Sequence, residues 1–276
     1  MNEAETRAEH IDPLLAAAGW GVVEGSRIRR EYLISPGRIE GHGKRGKPLK
    51  ADYVLEYRNT KLAVVEAKPA FKTAGDGLQQ AKEYADMLGL KFAYATNGRE
   101  IIEFDYFTGR ESLISAYPTP AELWERYRAG SRLSDDIAAA RLLTPMNHAV
   151  GKGERYYQEI AVNRSVEGIL CGRRRQLLTM ATGTGKTAVA FQICWKLWNA
   201  RWNRTGAHRR PRILYLADRN ILVDQAKVND FKPFGSAMTK IQKRQVDKSY
   251  EIYLALYQAV SGTEEVQNIY RQFSPD

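Results

Sequence analysis

Cysteine is nearly absent: Cys171 and Cys194 are the only two in 276 residues, too few for a disulfide framework and wrongly spaced for zinc. A reducing compartment is expected. No run of about 18 apolar residues occurs, and the charged opening MNEAETRAEH has no apolar signal core. Membrane spanning and export are therefore not expected, and the reading is of a cytoplasmic protein. Internal repeats and low-complexity blocks are missing as well. The second half is also short of acid: residues 1–150 carry 21 Lys/Arg and 21 Asp/Glu, whereas residues 151–276 carry 21 and 11. An excess of that kind attracts polyanions by neutralising phosphates and releasing counterions, and the acid-free stretch 196–212, KLWNARWNRTGAHRRPR, holds six of the basic residues.

What is present suffices for about two packed domains. Ile11, Leu14, Leu15 and Ala18 have helical spacing over residues 3–18, with Gly19 placed to end the helix. A basic, Gly-rich stretch, GRIEGHGKRGK, leads to the apolar runs ADYVLEY and KLAVVEAK, joined by RNT, which predicts a hairpin. GDGLQQAKEYADMLGL then reads as a helix, KFAYATNG and IIEFDYF as strands, and YPTPAELWERYRAG as a helix starting after prolines. Residues 131–153 read as a connector, and the domain boundary is expected near 150. Beyond it, QLLTM, RILYLADRN and EIYLALYQAV alternate as strands with helical segments, the pattern of a parallel, doubly wound sheet.

The predicted hairpin carries carboxylates. If Asn59 centres a three-residue loop, Asp52 and Glu66 lie opposite each other, close enough to share a divalent cation. Lys68 shares the face of Glu66 by strand alternation. Val54, Val64 and Val65 surround these acids, so both strand faces are expected to be buried, where unpaired carboxylates are costly without a cation. Two oxygen ligands beside an ammonium suit Mg²⁺-assisted phosphodiester hydrolysis. On the next helix Gln80 and Tyr84 stand four residues apart and share one face.

A second motif, TMATGTGKT at 179–187, sits between a predicted strand and a predicted helix. There Thr182, Gly183, Thr184 and Gly185 would let backbone N–H groups approach the phosphates of ATP at a helix N-terminus. Lys186 would reach the β- and γ-phosphates, and the Thr187 hydroxyl would ligate Mg²⁺. Met180 stands where the stricter pattern has glycine.

These segments together resemble a known family. MATGTGKT is similar to motif I of superfamily 2 helicases and DNA translocases, and looks particularly like the motor subunits of restriction enzymes. Arg155-Tyr156-Tyr157-Gln158 with Ala161 looks like the Q motif, in which the glutamine reads adenine and an aromatic ring stacks on it. Arg212 to Gln225 resembles motif Ia, with Asp218, Arg219 and Gln225 matching, whereas Leu256 replaces the small hydroxyl residue of a later DNA-contacting turn. Asp52 followed by Glu66-x-Lys68 resembles the PD-(D/E)xK nuclease signature, and Gln80 with Tyr84 the extra motif beside the nuclease site of type I restriction subunits. An additional ligand from Glu5 or Glu9 stays open, and the cluster Arg7, His10 and Asp12 could equally be surface charge.

The resemblance implies an α/β chain: a restriction-endonuclease-like mixed sheet flanked by helices over 1–150, then part of a RecA-like P-loop parallel sheet over 151–276. It further implies the R subunit of a type I restriction-modification system, cleaving double-stranded DNA with Mg²⁺ and translocating with ATP, alongside methyltransferase and specificity subunits. Nothing after the phosphate loop resembles the D-E-x-H box or a second motor lobe, so ATP binding with negligible turnover is expected. The alternatives are a type III or standalone helicase-nuclease, or a non-catalytic DNA-binding regulator with a decayed nuclease fold.

Overall fold

In the computed structural model, all residues are described except 36–38, 42–43, 134–135, 149–154, 204–208, 243–244, 262–268 and 273–276. Parts of the Gly-rich stretch, of the connector and of the basic stretch 196–212 thus lie outside the described residues. The chain divides into two compact units, Met1–Ala139 and Ala140–Asp276.

The apolar runs around Arg58 and Asn59 fold as β4 (Leu49–Tyr57) and β5 (Thr60–Ala67), an antiparallel hairpin. Arg58 (φ 46°) and Asn59 (φ 64°) are both left-handed, as a two-residue hairpin turn requires, and Tyr57 pairs with Thr60. The expected three-residue loop is therefore wrong. Its register nevertheless returns further along, because Leu62 is an extra residue between the pairs Glu56–Lys61 and Leu55–Ala63. This bulge offsets the shorter turn, and Tyr53 faces Val65.

Four further strands complete a six-stranded sheet in the order β1-β4-β5-β6-β7-β8. β1 (Ser26–Ser35), β7 (Ile101–Asp105) and β8 (Arg110–Ile114) run antiparallel to their neighbours. β6 (Phe92–Thr96) is parallel to β5, reached through the crossover helix α3 (Gly75–Leu88). A short ribbon, β2 (Ile39–Gly41) with β3 (Lys44–Arg45), stands outside this sheet. β1 was not expected from its sequence, SRIRREYLIS, because Arg27, Arg29, Arg30 and Glu31, four of its first six residues, hide its alternation. The core sits along these strands: Tyr53, Val54, Leu55, Leu62, Val64, Val65, Phe92 and Tyr94 are fully buried.

Parity places the helices on opposite faces. A Cβ at Gly77 of α3 would lie 3.5 Å from the Ala95 Cβ. From α4 (Pro120–Gly130), Arg126 binds Glu103, the cross-strand partner of Tyr94. Ala95 and Tyr94 are consecutive and point apart. Glu66 is paired with Ala95, so it faces α3. The first helix comprises α1 (Glu3–Thr6), a π-helical turn over Arg7–Ile11, and α2 (Asp12–Ala17), with Ile11 and Leu15 fully buried.

The second unit follows α5 (Asp136–Leu142), which spans the division. It contains α6 (Tyr156–Leu170), α7 (Lys186–Asn199), α8 (Asn220–Val228) and α9 (Tyr257–Val260). β9 (Ile213–Ala217), β10 (Met238–Lys240) and β11 (Ile252–Leu256) form a parallel sheet in the order β10-β11-β9. Phe191, Val223, Phe231 and Ile252 are fully buried in its core. The strand expected at QLLTM is not formed: residues 176–180 are coil, and Leu177 is 92% exposed. A strand needs a neighbour's ladder, and among the described residues β9 pairs only with β11.

Candidate active site and phosphate loop

Pairing extended one step beyond Tyr53–Val65 sets Asp52 opposite Glu66. Asp52 Oδ2 accepts a 2.8 Å hydrogen bond from the Ala67 backbone N–H. Lys68 Nζ lies 3.3 Å from Glu66 Oε1 and donates to Gln80 Oε1 at 3.0 Å. Gln80 Nε2 in turn donates to the Tyr84 hydroxyl at 3.0 Å. Glu66, Lys68, Gln80 and Tyr84, selected separately from the sequence, therefore form one continuous chain, with Asp52 at its carboxylate end.

The electrostatics are those of a crowded acidic pocket. Burial, followed by the charge of Asp52, pushes the Glu66 carboxyl up to about 8 against the attraction of Lys68. Burial also raises Asp52, opposed by the Ala67 N–H and by Arg7. Glu66 Oε2 is buried without a hydrogen-bond partner, an oxygen left for a cation to satisfy. No group of three or more His, Cys, Asp or Glu in metal-binding geometry occurs among the described residues, and the hard oxygens that a cation could meet here are those of the two carboxylates. Such a hard-oxygen set suits Mg²⁺.

Three contributors escaped the sequence reading. Arg7, left out of the candidate set, bonds Asp52 Oδ1 at 3.4 Å and the Tyr53 hydroxyl at 3.3 Å, and also holds Glu31. Glu31 belongs to the unexpected β1. Gly77 opens the path for Lys68, since a Cβ there would stand 3.1 Å from the Lys68 Cε. Of the glutamates left open, Glu5 forms a capping box with Asn2.

In the second unit the N-cap of α7 is Gly185 (φ 84°), preceded by Gly183 (φ 76°). Both conformations suit glycine. Open space surrounds the Cβ position at Gly183, whereas a Cβ at Gly185 would come 2.3 Å from Gln158 Nε2. Gln158 donates to the Thr184 carbonyl at 2.7 Å, and Arg155 reaches the Gly183 carbonyl at 3.4 Å and the Tyr157 hydroxyl at 3.0 Å. The α6 residues chosen from the sequence thus grip the loop itself. Lys186 Nζ bonds the Met180 and Ala181 carbonyls at 3.3 and 3.0 Å. Thr187 is the second residue of α7, next to Lys186, and Thr182 is exposed in the turn. The open backbone at Gly183 and the lysine folded over the loop fit a nucleotide's phosphates.

Other expectations need adjustment. Lys196 is only 3% exposed and donates to Asn163 at 3.2 Å, so it adds nothing to a basic surface: its helical position turns it toward α6. Arg210 stacks 3.5 Å over the Trp198 ring. A glutamine missed in the sequence, Gln192, clasps the backbone of Asn147, accepting from its N–H at 2.9 Å and donating to its carbonyl at 2.8 Å.

Residues 152–276 match the family described as type III restriction enzyme, res subunit. The chain is 40% identical over its whole length to the type I restriction enzyme EcoAI endonuclease subunit of Escherichia coli, covering 34% of it. It is 29% identical to the EcoKI endonuclease subunit of E. coli K12, over 59% of this chain and 14% of that one. A solved fragment of a type I restriction enzyme HsdR subunit from Vibrio vulnificus YJ016 aligns with a TM-score of 0.86 and 47% identity, over 99% of this chain and 49% of that one. The chain is therefore homologous, from end to end, to the endonuclease subunits of type I restriction enzymes, while spanning about a third of the EcoAI subunit's length.

Proposed function

We propose that this chain supplies the nuclease centre and the nucleotide-gripping loop of a type I restriction enzyme's R subunit. The observation that carries the reading is the hydrogen-bonded chain from Glu66 through Lys68 and Gln80 to Tyr84, beside Asp52. Asp52 and Glu66 would hold Mg²⁺, which when bound activates water and neutralises phosphate charge. Lys68 places a positive charge where the scissile phosphodiester gains negative charge. Gln80 fixes the ammonium, and Tyr84 fixes the Gln80 amide.

In the second unit Gln158 and Arg155 would orient ATP, Gly183 to Lys186 would receive its phosphates, and the Thr187 hydroxyl would ligate Mg²⁺. Double-stranded DNA is the proposed substrate, with methyltransferase and specificity subunits as partners and the cytoplasm as the location. We take residues 1–150 as the PD-(D/E)xK domain with its connector and 151–276 as motor sequence. Similarity to a type I subunit along the whole of this chain favours this over a type III arrangement. In the assembled complex, Lys68→Ala is expected to abolish Mg²⁺-dependent nicking of plasmid DNA while leaving nucleotide binding intact; undiminished nicking would remove Lys68 from the chemistry.

A further inference from the structure

Beside the proposed cation position stands a permanent one. A single nitrogen, Arg7 Nη1, bonds both Asp52 Oδ1 and Glu31 Oε1. Asp52 Oδ2 is already taken by the Ala67 N–H. The carboxylate oxygen that could turn to a metal is thus occupied by a guanidinium, while Glu66 Oε2, buried nearby, has no partner.

The backbone supports the arrangement. Arg30 pairs with Tyr53 and Tyr32 with Ala51, so position 31 lies opposite Asp52 across β1 and β4. At that position Glu31 adopts φ 50°, a left-handed conformation that is costly for an L side chain in the middle of a strand. The departure carries the Glu31 carboxylate to Arg7. Arg7 itself opens the π-helical turn Arg7–Ile11, a helical irregularity frequent at functional sites, and its guanidinium lies 4.8 Å from the Tyr53 ring centre. It therefore has aromatic and acidic contacts to keep when Asp52 lets go.

We propose that Arg7 and Glu31 form a counter-ion latch: Arg7 stands on Asp52 in place of a divalent cation, and cation entry shifts the guanidinium wholly onto Glu31. Arg7 and Glu31 are positioning residues here, acting through Asp52. The inference rests on the reading of Asp52 and Glu66 as cation ligands. It adds that the empty pocket is kept neutral by a removable internal charge, so metal uptake is a competition.

The test is Mn²⁺ binding to the intact chain without nucleotide, followed by electron paramagnetic resonance of free Mn²⁺. Arg7→Gln removes the competitor and is expected to tighten binding on the order of tenfold, the direction given by losing a unit charge at close range. Glu31→Gln leaves Arg7 with Asp52 as its remaining acidic partner and is expected to weaken binding several-fold. In the double variant the Glu31 effect should vanish, which separates a latch from a general field, under which the two effects simply add. A merely structural role for Arg7 would weaken binding instead. Unchanged or weaker binding by Arg7→Gln, or a Glu31 effect of equal size in both backgrounds, overturns the latch. Asp52→Asn separates the two layers: if Mn²⁺ still binds as in the wild type, the cation site and the latch both fall. If binding is lost in Asp52→Asn but unaltered in Arg7→Gln, only the latch falls.

Discussion

Glu66 shows how much one buried oxygen can weigh. Its carboxyl is pushed up to about 8, chiefly by burial, whereas in an unfolded chain it titrates near 4.3. The folded state thus keeps a proton that the unfolded state releases, so metal-free stability should fall between about pH 4.3 and 8 and level off above, by up to a few kcal/mol. Thermal melts in chelator should show this slope in the wild type and a flatter one in Glu66→Gln; equal slopes would refute the assignment. At Gly185 the left-handed backbone (φ 84°) is the first constraint, and a methyl group there would also displace the Gln158 amide, 2.3 Å away, from the Thr184 carbonyl. Gly185→Ala is expected to weaken binding of a fluorescent ATP analogue by more than tenfold. Gly183→Ala, facing open space, should cost only about 1–2 kcal/mol of backbone strain.

At the scale of elements, the five catalytic candidates were legible because their relations follow from fixed periods: two along β5, four along α3, and opposition across a hairpin. That geometry placed Asp52, Glu66 and Lys68, the hairpin opposition surviving because the Leu62 bulge offsets the shorter turn, whereas Gln80 and Tyr84 were singled out with the help of the family resemblance. Arg7 and Glu31 were illegible for the same reason, since a π turn and a left-handed residue inside a charged strand interrupt every period that could have announced them. QLLTM misled because apolar content marks a strand only when a partner stands beside it. The hairpin offers a direct check. Asn59→Val puts a β-branched residue at φ 64° and should destabilise the first unit by about 1–2 kcal/mol in denaturant melts, with Mn²⁺ affinity unaltered. A shift in affinity would mean that the turn, not the bulge, sets the carboxylate spacing.

For the whole molecule, the acid deficit of residues 151–276 is a statement about partners more than about fold. Burial of Lys196 removes one of the charges that the sequence alone would count. The remainder predicts sequence-indifferent duplex binding that weakens steeply between about 50 and 200 mM salt, measurable by fluorescence anisotropy on unrelated oligonucleotides. Affinity that stays flat over that range would contradict it. Among the described residues no helix is long and apolar enough to cross a membrane.

The extra residue at Leu62 works like a slack link in a drive chain. It absorbs a mismatch upstream, so that the spacing of the acids is decoupled from how the hairpin reverses. A homologue with one more residue at the reversal could keep its chemistry simply by dropping the slack. Insertions and deletions around 58–62 should therefore be found in compensating pairs, and a lone one should leave the two acids on opposite faces of the sheet.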